Sequence, residues 1–141
     1  MVIRKTTAMA FIGILITAGL VVFVTQVGAQ TTDEQKQALI GEWRGLWGGG
    51  YGRGSSTLII HEIDTAKAKA RCTYTDTWLG EKKYPVLADF IPSPDPKLEF
   101  KLEGNEFNFV LKKSTLQGAF KGMRDGLFVN SAIKMEKYPK K

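Results

Sequence analysis

Few residues in this 141-residue chain are suited to chemistry. His61 is the single histidine and Cys72 the single cysteine. An activated thiol needs a neighbouring base, and a serine nucleophile is usually carried by a G-x-S-x-G elbow, which does not occur here. One histidine and one cysteine, eleven residues apart, also make a poor metal site. We therefore predict no enzyme, no metal and no cofactor, with His61 at the surface or the rim and Cys72 buried as a small inert side chain.

Carboxylate pairs offer the other possible chemistry. Glu62 with Asp64, and Asp76 with Asp89, are the pairs that the spacing allows. Fourteen acidic residues spread over many strands produce such pairs by chance. General acid catalysis by a carboxyl group requires a cleft that raises its pKa. Without a sign of such a cleft, these pairs predict no hydrolysis.

A glycine-rich stretch, GEWRGLWGGGYGRGSS, runs from Gly41 to Ser56. A phosphate loop would need a lysine and a helix that begins directly after it. Here a β-branched strand follows instead, so the glycines indicate a hairpin loop at the rim of a sheet. Tyr51 and Arg53 are the side chains that such a loop would present to a ligand.

The first thirty residues indicate export. Arg4 and Lys5 form a basic start, Ala8 to Val24 is almost wholly apolar, and Val27-Gly28-Ala29 has the small residues of a cleavage site. We predict a signal peptide at 1–29 and a secreted or periplasmic protein. The alternative is that the segment stays as an N-terminal membrane anchor.

Net charge and cysteine content limit the classes of partner and the means of stabilisation that we expect for the exported chain. The signal holds two of the 20 basic residues and none of the 14 acidic ones, so the remainder carries 18 − 14 = +4. No Lys/Arg-rich block occurs, which disfavours a nucleic-acid partner. A single cysteine cannot form an internal disulfide, so the core alone must stabilise the fold.

From Glu42 onward the apolar residues recur with a period of two. About eight short strands follow one another, separated by turn residues, and no helical periodicity covers them. Half-buried strands of this kind either close on themselves or pack as two sheets. We predict one up-and-down antiparallel β-barrel over 41–138, with a β-sandwich as the alternative. Residues 30–40 are predicted as a loose segment with at most one helical turn, and 139–141 as a basic tail.

Gly41-Glu42-Trp43, at the start of the first strand, resembles the G-x-W motif of the lipocalins and the wider calycin barrels. The resemblance implies that Trp43 closes one end of the barrel. It also implies that a basic side chain from a late strand packs across the tryptophan ring. Lys134 on the last strand is the expected partner, with Arg124 as the alternative.

Two functions remain open at this point. The first is a binding protein that holds a small, partly apolar molecule in the barrel interior or mouth. Its candidate ligand-binding residues are Trp47, Tyr51, Arg53, Tyr74 and Trp78. The second is a cell-envelope module that binds a glycan or inhibits an enzyme through exposed aromatic residues. Its candidate platform is Trp47, Tyr51, Trp78 and Tyr84. A membrane is expected as a partner only if the N-terminal segment is retained.

Overall fold

The computed structural model describes residues 31–50 and 52–139. Within them it contains one helix and eight strands. The helix is α1 (Thr31–Leu39), and the strands are β1 (Gly41–Gly49), β2 (Gly52–Asp64), β3 (Lys69–Asp76), β4 (Tyr84–Ile91), β5 (Lys97–Leu102), β6 (Asn105–Lys112), β7 (Thr115–Arg124) and β8 (Leu127–Tyr138). The compact unit that carries the strands is Gln35–Lys141. The expected signal peptide lies outside the described residues, among which no helix is long and apolar enough to cross a membrane.

Each strand pairs in antiparallel fashion with the next, and β8 pairs with β1 to complete a closed barrel. This last pairing runs from Glu42 opposite Tyr138 to Gly49 opposite Ser131. The Arg44 guanidinium reinforces it by lying 3.5 Å from the centre of the Tyr138 ring. The predicted up-and-down barrel is confirmed, and the sandwich is not formed.

Alternating side chains fill the barrel interior. On β3, Ala70, Cys72 and Tyr74 are buried, whereas Arg71 between them is exposed. The same alternation continues around the barrel, as expected when one face of each strand packs on the core. The largest fully buried side chains are Trp43, Tyr74, Phe107, Phe109, Phe120, Leu39, Leu58, Ile60, Ile63, Leu98, Leu116 and Met135.

The up-and-down order defines two ends. At the helix end lie the last turn of α1 and the β2–β3, β4–β5 and β6–β7 connections. At the other end, here called the mouth, lie the β1–β2, β3–β4, β5–β6 and β7–β8 connections. Gln35 ties α1 to the helix end because its side-chain amide donates to the Ser93 carbonyl, 2.7 Å away, in the β4–β5 connection.

The nine-residue α1 replaces the loose segment expected at 30–40. A helix this short is marginal in water, and the structure shows what supports it. Leu39 is completely buried in the barrel core. The Trp43 indole N–H donates to the Leu39 carbonyl at 2.8 Å, and the Lys137 ammonium donates to the carbonyls of Gln37 and Ala38 at 3.4 and 2.9 Å. Side chains of the barrel thus satisfy C-terminal carbonyls that a helix leaves without partners.

Strand pairing is uneven around the barrel. β7 and β8 pair over ten residues each, up to Arg124 opposite Leu127. β4 and β5 pair only from Asp89 opposite Glu99 to Ile91 opposite Lys97, which is three pairs. The barrel wall is therefore least tied between β4 and β5, a junction called here the β4–β5 seam.

Candidate binding site at the barrel mouth

Trp43 lies at the helix end of the barrel. This ring is buried, its indole N–H is bonded to α1, and the Lys137 ammonium lies 5.5 Å from the ring centre. The glycine before it has a separate role. Gly41 has a φ of +134°, and a Cβ there would lie 2.8 Å from Lys137 Cε. A side chain at this position would strain the backbone and displace the lysine stem.

The cation beside Trp43 is therefore Lys137 and not Lys134. Strand β8 buries Ile133 and Met135, so Lys137 continues their face, and it pairs directly with Trp43. Lys134 is on the opposite, exposed face and pairs with Leu46. The backbone of Arg124, the other candidate, lies at the mouth. Counting residues in steps of two from Met135 would have selected Lys137.

The two residues best suited to nucleophilic chemistry lie on opposite sides of the barrel wall. Cys72 is buried, and burial raises the pKa of its thiol to about 12. His61 is exposed, and a hydrogen bond of 2.8 Å joins its Nε2 to Thr73 Oγ1. A thiol that stays protonated and faces away from the histidine does not form a nucleophile–base pair.

Of the carboxylate pairs considered from the sequence, Asp76 with Asp89 does not form. Asp76 is buried inside the barrel, whereas Asp89 is on the outer face and forms an ion pair with Lys69. Glu62 is exposed and lies 3.5 Å from Arg71. No group of three or more potential metal ligands occurs among the described residues.

A cluster of aromatic rings underlies the mouth. Trp47 contacts Trp78 and Phe120 edge to face, each with a centroid distance of 5.7 Å. Gly54 makes room for this cluster, because a Cβ there would lie 2.4 Å from Trp47 Cε2 and 2.0 Å from Thr77 Oγ1. Trp47 is thus buried against the adjacent strand and is not part of an exposed aromatic platform.

Below these rings, Tyr74 and Asp76 form a buried polar pair. The Tyr74 hydroxyl donates to Asp76 Oδ2 at 2.7 Å, and the Leu79 backbone N–H donates to Asp76 Oδ1 at 2.7 Å. Burial raises the pKa of the Asp76 carboxyl, although these donors act in the opposite direction. Burial and the adjacent carboxylate raise the pKa of Tyr74 as well. Asp76 therefore holds the β3–β4 connection, which carries Trp78, over the mouth.

Three buried polar atoms near this pair have no hydrogen-bond partner within the described structure. They are Trp47 Nε1, Ser56 Oγ and Ser131 Oγ. Ser56 lies beside the Tyr74 hydroxyl and lowers its pKa, but the two hydroxyls are not in good hydrogen-bond geometry. An unsatisfied buried polar group costs about 1–3 kcal/mol, so three in one region require an explanation.

The strand register places both serines next to Trp47, with Ser56 toward the helix end and Ser131 toward the mouth. Trp47 pairs with Gly54 on β2 and with Ile133 on β8. Ser56 and Ser131 are each two residues from those partners and share their inward face. Each serine is therefore a diagonal neighbour of Trp47, at about 7–8 Å between Cα atoms.

The other residues that were predicted to bind a ligand do not all lie beside Trp47. Arg53 is exposed at the mouth and lines a groove of about 430 Å³ with Trp47, Leu46, Gly48 and Gly54. Tyr51 lies outside the described residues. Tyr74 is deeper, where its ring contacts Phe107 at 4.8 Å in a stack that also includes Phe100 and Phe109. The structure thus brings Trp47 and Trp78 together at the mouth, whereas Arg53, opposite Gly48, shares the outer face of the wall with Leu46.

The sequence reasoning missed Ser56, Asp76 and Ser131 as parts of this region. Their positions were available from the period of two, since Ser56 precedes Leu58 and Ile60 on the same face. Ser131 likewise precedes Ile133 and Met135, and Asp76 follows Cys72 and Tyr74. A polar residue at an inward-facing position of a strand is the sequence signal that could have identified all three.

Comparison with known proteins adds no relative. No protein-family model, no curated protein and no solved structure matches the chain.

Proposed function

We propose that this is an exported, non-enzymatic binding protein that holds a small, partly apolar ligand at the barrel mouth. The observation that supports this best is the group of three unsatisfied polar atoms beside the Trp47–Trp78–Phe120 rings. Buried polar atoms normally have partners, and a bound molecule would supply them. The relation to lipocalin-like barrels belongs to the same proposal, supported by Trp43 and Lys137 at the helix end.

The donor set limits the ligand. The indole N–H of Trp47 only donates, so the ligand must offer at least one hydrogen-bond acceptor. The two serine hydroxyls both donate and accept, and they would suit a carbonyl, carboxyl or hydroxyl group. Apolar parts of the ligand would pack on the aromatic rings.

Native mass spectrometry of protein purified from its host tests the proposal. We expect the wild-type protein to retain a non-aqueous mass, and Trp47→Phe, Ser56→Ala and Ser131→Ala each to retain less of it. Ser55→Ala is the matched control, because Ser55 is the exposed neighbour of Ser56 on the same strand. A folded wild-type protein that carries only water, or equal retention by all four variants, would contradict the proposal. Water would then be the partner of these atoms.

A further inference from the structure

The tip of the β7–β8 hairpin carries three large apolar side chains that the barrel does not cover. Met123, Leu127 and Phe128 are 65%, 55% and 64% exposed. They are called here the hairpin patch. On the same two strands, Lys121 and Asn130 are the next exposed residues toward the barrel body, so the patch is confined to the tip.

The hairpin patch is held in place by its backbone. Met123 pairs with Phe128, and the ladder continues to Arg124 opposite Leu127. Asp125 and Gly126 have φ values of +50° and +77°, the left-handed pair that a two-residue type I′ turn requires. The three side chains are therefore presented by a regular, fully paired hairpin.

The hairpin extends beyond the barrel rim. By alternation Leu127 belongs to the inward face of Val129 and Ser131, both of which are buried. Leu127 is nevertheless more than half exposed, so it lies above the level at which the interior begins. The patch is thus at the mouth, at the opposite end from α1.

From this arrangement we infer that the hairpin patch docks onto a lipid surface. Met123 and Phe128 are on the outer face of the hairpin and Leu127 is on its inner face, and together they offer on the order of 300 Å² of apolar surface at the tip. A stable protein partner needs about 800 Å² per side, which the patch does not supply. A bilayer interface requires no complementary shape, because an apolar tip can enter it with polar residues at headgroup level.

The charges near the patch agree with an anionic lipid surface. Lys121 is exposed two residues before Met123, and Arg53 is exposed on the β1 side of the mouth. Asp125 is the single acidic residue between Lys121 and Asn130, a stretch that also contains Arg124. Basic residues close to a bilayer favour its anionic lipids. In this orientation the mouth faces the membrane, whichever ligand it holds.

A fluorescent label at the tip tests the inference. Cys72 is buried, so a new cysteine at an exposed position can be labelled selectively in the folded full-length chain. Leu127→Cys places an environment-sensitive fluorophore in the patch. Ser114→Cys is the control, because Ser114 is exposed in the β6–β7 turn at the helix end. The probe surface is unilamellar vesicles of phosphatidylcholine with phosphatidylglycerol.

We expect vesicles to shift the emission of the Leu127→Cys label to shorter wavelength and to leave the Ser114→Cys label unchanged. No shift at position 127 would overturn the inference. A shift confined to position 114 would overturn it too, since it would show attachment through the helix end, as expected for a retained N-terminal anchor.

Co-sedimentation with the same vesicles provides a second measurement. Phe128→Ser should lower binding about tenfold, the factor that corresponds to about 1.4 kcal/mol. Leu87→Ser is the matched control, because Leu87 is 66% exposed but lies in the middle of β4, where it pairs with Arg71. Equal losses in both variants would contradict docking through the tip. The inference would also be contradicted if the chain self-associated without lipid and Phe128→Ser abolished that association, because the patch would then bind a second copy.

Discussion

Lys137 shows how much a single side chain contributes at the helix end of this barrel. Its ammonium donates to two carbonyls at the end of α1 and lies beside the Trp43 ring. Hydrogen bonds from a charged donor are worth more than neutral ones, but Lys137 is only partly buried, which reduces their net value.

Lys137→Met retains most of the aliphatic stem and removes the charge. We expect it to lower the free energy of unfolding by about 1–2 kcal/mol, through loss of these hydrogen bonds and of the cation–π contact. Lys134→Met, on the exposed face of the same strand, should change it by less than about 0.5 kcal/mol. Urea melts of both variants provide the measurement. Similar losses in the two would argue against the role assigned to Lys137.

Asp76 provides a pH-dependent effect at the same scale. Burial raises the pKa of its carboxyl above the usual 3.8, so the folded state binds this proton more tightly than the unfolded state. The resulting stabilisation is complete below about pH 3.8 and is lost as the pH rises through the folded pKa. The ionised carboxylate, once formed, accepts hydrogen bonds from the hydroxyl of Tyr74 and the N–H of Leu79.

We therefore expect the stability of the wild-type protein, relative to Asp76→Asn, to fall as the pH rises from about 3.8. The difference should become constant above the folded pKa, because both states are then ionised. Urea melts of the two proteins from about pH 3 to about pH 8 give the comparison. A relative stability that rises with pH would show that the pKa of Asp76 is lowered in the folded state.

At the scale of elements, α1 depends on the barrel for its stability. Leu39 inserts into the core, and side chains from β1 and β8 satisfy the last carbonyls of the helix. Asp33 and Glu34 in its first turn also suit the helix dipole. Local sequence alone would leave nine residues mostly unfolded.

Leu39→Ala should accordingly lower the free energy of unfolding by about 2–5 kcal/mol, as for other buried leucines. Ala38→Gly, at the exposed position beside it, weakens helix propensity by about 1 kcal/mol while retaining the Leu39 anchor. Chemical denaturation followed by circular dichroism would rank them. A larger loss in Ala38→Gly would mean that local propensity, rather than the core contact, maintains the helix.

Sequence periodicity predicted the strands well and this helix poorly, for a physical reason. Strand faces follow from local alternation, so Ala70, Cys72 and Tyr74 could be assigned inward without knowledge of their neighbours. The α1 caps come from residues at a distance of up to 100 positions, which no local pattern contains. The mouth region was predicted only in part. Trp47 and Trp78 were named as candidate ligand-binding residues from the sequence, whereas Ser56 and Ser131 could be placed beside Trp47 only from the strand register.

For the whole molecule, the β4–β5 seam is the place where the wall is weakest. The Phe90 N–H donates to the Ala68 carbonyl on the β3 side, so the backbone of Leu87, three residues earlier, is directed toward β5. The ladder ends at Asp89 opposite Glu99, before Leu87 and Lys101 would pair. The backbone of Pro85, two residues before Leu87, is directed toward β5 as well. Proline has no N–H to donate, and it is typical of strand edges that have no neighbouring strand.

We expect the amides of Leu87 and Lys101 to exchange with solvent much faster than those in the middle of the β7–β8 ladder. Unpaired amides need no opening of the barrel, whereas the ten-pair ladder must separate first. Hydrogen exchange followed residue by residue by nuclear magnetic resonance measures this. Equal protection at the seam and in β7–β8 would show that the wall is uniformly closed.

The cap that Lys137 places on α1 has a consequence for biosynthesis. The first element of the described chain is completed by a residue of the last strand, and β1 also acquires its second neighbour only from β8. Lys137 is synthesised 100 residues after Gln37, whose carbonyl it caps. Until then neither barrel closure nor the helix cap is available, and contacts this distant in sequence form slowly. The nascent polypeptide therefore stays open at least until Lys137 has been added.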